Sequence, residues 1–249
     1  MTIEALVKTV GRVAPIRKPM AAPPVLPPGL LPSLESGDRL TRYEFERRYQ
    51  AMPHLKKAEL VEGVVNMPSP VHQRNHSRPH SQIITWLGVY CAATPGVDLG
   101  DNATVRLDAF NEFQPDALLR LEPAAGGRSG ISPDDYIEGP PELIVEVAAS
   151  SASQDLHDKL RVYCRNGVQE YIVWQVYERR LDWFALDTER GDYMPLMPDA
   201  DGVMRSRVFP GLHLSVQAML DGDLAQVLVV LQRGCASPEH AQFVLALSA

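Results

Sequence analysis

Hydrophobic positions change their period several times along the chain, and each change marks an element. In LTRYEFERRYQAM, Thr41 followed three residues later by Glu44 has the form of a capping box, and Phe45 and Tyr49 lie one turn apart, which predicts a short first helix. AELVEGVVNMPSP reads as two strands around Glu62-Gly63. QIITWLGVYCAA spaces Ile83, Ile84, Leu87, Tyr90 and Cys91 as one buried helical face, with Pro79 opening or kinking that helix. Two short apolar runs, ATVRL and DALLRL, precede PELIVEV, whose composition is that of a strand covered on both faces.

The period then turns helical in SQDLHDKLRVYCRNG, from about residue 154 to 166, with Ser153 as N-cap, Asp155 favouring the first turn electrostatically and Gly167 as the stop. EYIVWQVY and RLDWFAL alternate around Glu178-Arg179 as a hairpin would, and Trp174 and Trp183 at strand spacing read as packing residues. RSRVF is read as a last strand, and helical stretches near 221–233 and 237–247 close the chain. Helices mixed with strands, with a meander late in the chain, predict an α+β or mixed α/β fold with a central β-sheet flanked by helices.

Residues 14–38 hold seven of the 21 prolines and little periodicity. They predict an extended N-terminal arm over residues 1–37, a globular domain over 38–215 and a C-terminal helical extension over 216–249. With 249 residues, 45% of them hydrophobic, the chain can bury one sizeable core. A net charge of −7 rules out a global basic field, so any nucleic-acid binding must come from a local patch or through metal ions. Cys91, Cys164 and Cys235 lie far apart, without a CxxC pair, and read as reduced, partly buried thiols. No signal-peptide pattern and no run of about 18 apolar residues occurs, so a soluble, cytoplasmic protein with no membrane partner is expected.

Glu146 raises the chemical question. It sits among Leu143, Ile144, Val145 and Val147 in a strand read as buried, where a carboxylate is destabilising by several kcal/mol unless a cation, a proton or hydrogen bonds compensate it. On the following helix Lys159 lies three residues after Leu156 and four before Tyr163, on or beside the apolar face, and therefore points roughly where Glu146 points. Upstream, QPDALLRL places Asp116 behind a proline at a strand's start. Two carboxylates with oxygen ligands suit a hard divalent cation, and a nearby lysine can orient water and stabilise charge developing on a phosphate. Two readings stand side by side: Asp116 and Glu146 share Mg²⁺ with Lys159 beside it, or Glu146 and Lys159 form a buried ion pair while Asp116 is a strand-end turn residue.

VHQRNHSRPH offers a second constellation, His72, His76 and His80 at four-residue spacing, as one helical face of a zinc site would have. Pro79 interrupts it, no cysteine joins it, and the glutamate of an HExxH motif is missing, so solvated histidines near a helix start are the alternative. Arg74 and Arg78 beside them are candidates for phosphate contacts.

The segments AELVEGVVNMPSPVHQ, QPDALL, PELIVEVAASSASQDLHDKLRVYCRNGVQEYIVW and VFPGLHL resemble the Uma2 family, formerly a domain of unknown function, over roughly residues 38 to 215. The resemblance implies the restriction-endonuclease-like fold of PD-(D/E)xK nucleases. It further implies a Mg²⁺ site for phosphodiester hydrolysis, with Mn²⁺ as a substitute. Asp116 matches the aspartate of the family's Pro-Asp, Glu146 the glutamate of its Val-Glu-Val, and Lys159 the helix lysine that replaces the usual one two residues after the glutamate, where this chain has Ala148. Glu59 matches the glutamate of an acidic-Gly strand motif, as an added ligand or a residue positioning water; read alone it is an ordinary hairpin carboxylate. The chain departs from the family at Val64, where another acidic residue is often found, and His72 follows Ser-Pro as the family histidine does. By this resemblance the protein is expected to be an endonuclease acting on nucleic acid, DNA above RNA, as a homodimer. The alternative is a non-catalytic member that uses the fold as a binding module.

Overall fold

A computed structural model describes residues 31–67, 73–149 and 155–248. The first helix, α1 (Arg42–Gln50), starts where the Thr41 hydroxyl oxygen accepts the Glu44 N–H at 3.4 Å, and the Glu44 carboxylate turns to Arg47 and Arg48. Strands β1 (Glu59–Val61) and β2 (Val64–Asn66) meet at Glu62-Gly63, with φ of 50° and 78°. A two-residue turn with positive φ at both positions matches the twist of the flanking strands. Glu62, lacking glycine's freedom, is held there by its N–H donating to Asn111 Oδ1 at 2.8 Å.

A π-helical turn at Gln73–Ser77 leads into α2 (Arg78–Ala93), with Pro79 in the first turn, where no intrahelical N–H is required of it. Ile83, Trp86, Leu87 and Tyr90 form its buried face, while Ile84 and Cys91 stay half-buried. There follow β3 (Val97–Asp101), β4 (Val105–Asp108), β5 (Asn111–Phe113), β6 (Ala117–Leu121), β7 (Gly130–Ile131), β8 (Ile137–Glu138) and β9 (Leu143–Ala148). A second π-helical turn, Asp155–Lys159, opens α3 (Leu160–Asn166), so the predicted helix is α-helical only in its second half. Gly167, at φ +81°, ends it. The predicted hairpin is β10 (Glu170–Gln175) and β11 (Arg180–Asp187), followed by β12 (Asp192–Pro195), β13 (Val203–Arg205) and β14 (His213–Ser215). The chain closes with α4 (Val216–Asp221), α5 (Leu224–Cys235) and α6 (Pro238–Leu247).

The central sheet runs β12-β11-β10-β9-β6-β3, with β9 and β10 parallel and the other pairs antiparallel. A second sheet, β2-β1-β5-β4-β8-β7, and the β13-β14 ribbon complete the strands of the described residues. Side chains of β9 alternate between two cores. Leu143, Val145 and Val147 join α2 and the C-terminal helices through Met219, Val227 and Leu231, whereas Ile144 and Ala148 join Val162, Tyr163 and Tyr171 on the opposite face.

One local expectation is corrected. RSRVF contributes only Arg205 to a strand, because Ser206 Oγ accepts the N–H groups of Val208 and Phe209 at 3.1 and 2.8 Å and turns the chain. The helical stretch expected near 221–233 is α5, which starts after Gly222 (φ +75°) with Asp223 capping it by accepting the Gln226 N–H at 3.0 Å, and the short α4 before it is an addition to that expectation. The Pro-rich segment up to residue 30, His72 and Ser153 lie outside the described residues. The three cysteines are free thiols and half-buried, and no helix among the described residues is long and apolar enough to cross a membrane.

Candidate active site

Alternation along β9 sends Glu146 toward the same side as Ile144 and Ala148. Antiparallel pairing matches Ala117 with Val145 and Leu118 with Ile144, and continuing that register by one residue sets Asp116 opposite Glu146. Opposed residues of an antiparallel pair present their side chains to one face about 5 Å apart at Cβ. The Val147 N–H donates to Asp116 Oδ2 at 2.7 Å, which ties the aspartate to the strand that carries the glutamate.

Lys159, the last residue of the π-helical turn, reaches back over β9. Its Nζ lies 2.8 Å from Glu146 Oε1, 3.0 Å from Glu59 Oε2 and 3.4 Å from Asp155 Oδ1. One helical turn further on, the Tyr163 hydroxyl donates to Glu146 Oε1 at 3.1 Å. Glu59 arrives from the second sheet: its Oε1 accepts the Gln114 N–H at 3.0 Å and lies 4.0 Å from Lys57 Nζ. Asp116, Glu146, Lys159, Glu59 and Asp155 are all at most 4% exposed, so water screens their interactions weakly.

The protonation states follow. Burial pushes the Glu146 carboxyl up to about 8; Lys159 opposes this, and Asp155, Asp116 and Glu59 add to it. For Lys159 burial works downward, but Glu146, Glu59 and Asp155 outweigh it and hold the ammonium well above its ordinary range. Lys159 is therefore a fixed cation. For Asp116 burial works upward, yet the hydrogen bond and charge of His76, with Lys57 and the Val147 N–H, bring it below the ordinary carboxylate value.

Of the four residues singled out in the sequence, Glu59, Glu146 and Lys159 meet directly, and Asp116 stands beside them across the β6–β9 ladder. Glu59 is buried rather than an exposed hairpin carboxylate. Sequence reasoning missed Asp155 and Tyr163, which lie four residues to either side of Lys159 and so share its helical face. His76 and His80 do not stand as a zinc pair: His76 Nε2 lies 3.2 Å from Asp116 Oδ1, and His80 Nε2 lies 3.0 Å from Asp101 Oδ1 and 2.9 Å from the Asp116 carbonyl oxygen. Among the described residues no group of three His, Cys, Asp or Glu side chains is arranged as a ready metal cage. Instead the Lys159 ammonium stands where Glu59, Glu146 and Asp155 converge.

The donor set still fits a hard cation. All candidate ligands are carboxylate oxygens, Asp116 just before β6 is tied to the strand that carries Glu146, and a divalent ion would relieve the charge of the neighbouring acids that adds to burial in raising Glu146. Comparison with known proteins bears on the fold and the family. One solved structure, a "putative nuclease belonging to DUF820" from Anabaena variabilis ATCC 29413, is similar at a TM-score of 0.54 and 13% identity, over 71% of this chain and 97% of that one. At that identity the likeness establishes the fold alone, a nuclease-like one. No curated protein matches the chain. The model of the Uma2 family, described as "Putative restriction endonuclease", matches residues 43–217, well over half of the sequence, and the chain therefore belongs to that family.

Proposed function

We propose that this chain is a metal-dependent endonuclease that hydrolyses phosphodiester bonds of DNA, with Asp116 and Glu146 holding Mg²⁺, for which Mn²⁺ can substitute. The observation that carries the reading is the make-up of the buried cluster: Glu59, Asp116, Glu146 and Asp155 are buried around the ammonium of Lys159, and burial, with Asp155, Asp116 and Glu59 adding to it against Lys159, drives Glu146 up to about 8. A divalent cation would relieve such a surplus, and because every acid of this cluster is at most 4% exposed, water does not relieve it.

Hydrolysis needs a water oxygen to attack phosphorus, the P–O ester bond to break and the leaving oxygen to take up a proton. A divalent ion bound by the two carboxylates supplies Lewis-acid polarisation of the phosphate and a more acidic water. Lys159, held cationic, is not the base; it donates hydrogen bonds and can hold the attacking water or neutralise a phosphate oxygen. Glu59 and Asp155 position Lys159, and Tyr163 and Lys159 together fix the orientation of Glu146. Acting on a duplex, two copies would pair across it, and sedimentation equilibrium of the free protein measures that association.

The test is calorimetric titration of Mn²⁺ into wild type and Glu146→Ala. Binding in wild type that vanishes in the variant is expected; no binding in wild type at millimolar Mn²⁺ would overturn the metal site. One observation favours a second reading, a non-catalytic binding module: Lys159 already contacts three carboxylates, as in a structural ion cluster. Under it, Lys159→Ala changes stability and no cleavage rate.

A further inference from the structure

We propose that a cleft of about 250 Å³ at the start of α2 binds the phosphodiester backbone of the DNA that enters the Glu146–Lys159 site, with Arg74, Arg78 and Arg179 as its phosphate ligands. The inference rests on the nuclease reading for its ligand and extends it to how the substrate is held.

Three observations converge. The first is charge. Three guanidinium groups line the cleft against one carboxylate, Asp221, in a chain whose net charge is −7. Among the described residues Arg74 and Arg78 have no carboxylate partner, and both are exposed. Exposed guanidinium groups that share a concave wall without a carboxylate between them present a local positive field, and their planar fork suits phosphate.

The second is construction. Arg74 and Arg78 come from the entry to α2, while Arg179 comes from the β10–β11 turn and is steered by Asp221 at 2.6 Å. The buried side chains of Trp174 and Met219 provide an apolar, low-dielectric wall behind the charges, which strengthens their field. Gly222 makes room: a Cβ there would lie 3.2 Å from a terminal nitrogen of Arg78, at a backbone φ of +75° that already favours glycine.

The third is position. The segment that carries Arg74 and Arg78 also carries His76, which contacts Asp116. Trp174 in the cleft wall pairs in register with Val147, whose N–H donates to that same aspartate. The cleft therefore lies against the α2 face of the β9–β10 pair and the Glu146–Lys159 cluster on the opposite face, with the Arg74–Arg78 segment reaching both through His76 and Asp116. A strand whose phosphates lie on the arginines runs beside the segment that holds His76 on Asp116.

Binding of a short fluorescein-labelled DNA duplex, followed by anisotropy in EDTA, tests this without any metal or chemistry. In wild type the logarithm of affinity falls steeply with the logarithm of salt between about 50 and 200 mM, because each neutralised phosphate releases counterions. Arg74→Glu and Arg78→Glu, both at exposed positions, are expected to weaken binding on the order of tenfold each and to reduce the salt slope by roughly one. Asp221→Asn releases Arg179 and is expected to tighten binding, which loss of fold cannot mimic. Wild-type affinity and slope in both charge reversals would overturn the proposal, as would no binding by wild type at low salt. Failure here leaves Mn²⁺ binding at Glu146 untouched, and failure of the metal site leaves duplex binding in EDTA untouched, so the two are separable.

Discussion

Two regions of the molecule wrap several carboxylates around one buried cation, and they resolve the same electrostatic problem differently. Around Lys159, every acid partner is at most 4% exposed. Around Arg106 on β4, Glu46 Oε1 lies 2.9 Å away and Glu112 Oε2 3.7 Å, while Asp134 takes two hydrogen bonds at 3.0 and 2.8 Å and Glu138 sits at 3.6 Å. Both clusters push one carboxyl up to about 8: Glu146 through burial opposed by Lys159, and Glu112 through burial and its neighbour Glu46. The Asp134 and Glu138 side chains, however, are 52% and 51% exposed, so water shares the charge there. Arg106 also lies over the Tyr136 ring at 4.2 Å, and its planar fork is held at both ends.

An excess of acid around a cation is therefore no sufficient mark of a reactive site. What separates the Lys159 cluster is that it is dry, that its cation is a point charge, and that Asp116 is tied by the Val147 N–H to the strand that carries Glu146. The Arg106 cluster clasps α1 and the loop before β8 to the second sheet.

The largest expected contrast comes from removing each cation. Lys159→Ala strands buried carboxylates and is expected to destabilise the metal-free protein by about 3–5 kcal/mol, with part of that recovered in millimolar Mn²⁺. Arg106→Ala lets Asp134 and Glu138 relax into water and is expected to lose less, about 1–3 kcal/mol, with no recovery. Urea unfolding of both variants with and without Mn²⁺ measures this, and equal recovery in the two would erase the distinction.

Acidity sharpens the comparison next. The folded-state value of about 8 for Glu146 lies above the ordinary 4.5, so the folded protein keeps a proton that the unfolded chain has lost. Between about 4.5 and about 8 its contribution to stability falls as pH rises, and Glu112 acts in the same direction over the same window. Glu146→Gln and Glu112→Gln should each flatten the decline in denaturant midpoint. Saturating Mn²⁺, which holds Glu146 ionised, should abolish the Glu146 share and leave that of Glu112. A decline unchanged by Mn²⁺ would count against Glu146 as a ligand.

Smaller effects follow. Tyr163→Phe removes the hydroxyl that donates to Glu146 at 3.1 Å and is expected to cost about 1–2 kcal/mol in thermal unfolding. Asp134→Ala, at a half-exposed acid, should produce a shift in melting temperature close to the limit of measurement, because water replaces the lost partner.

Much of the fold was legible because it depends on neighbours in the chain. Thr41 caps α1, Glu62-Gly63 turns β1 into β2, Gly167 ends α3, and the β10–β11 hairpin falls where the alternation breaks. Strands such as β5, β7 and β8, two or three residues long, carry no readable period and exist only because partners pair with them. Ser206 looked like part of a strand, and its hydroxyl proved to be a turn device through Val208 and Phe209. Asp155 suits the start of a helix by its charge, a local role, and the fold also places its carboxylate 3.4 Å from the lysine four residues on.

The sequence by itself determined that Glu146 is a charge in an apolar strand and must be compensated, and that Lys159 and Asp116 are within reach of the same core. Local periodicity suffices for that, since alternation and helical spacing fix which face a residue takes. Only the tertiary structure decided who compensates it. Pairing of β6 with β9 brings Asp116 beside the strand of Glu146, where the Val147 N–H holds it, the second sheet delivers Glu59 onto Lys159, and the entry to α2 places His76 on Asp116. Each of these contacts joins segments far apart in the chain, and a contact of that kind leaves no period in the sequence because its geometry is set by the packing of sheets and helices.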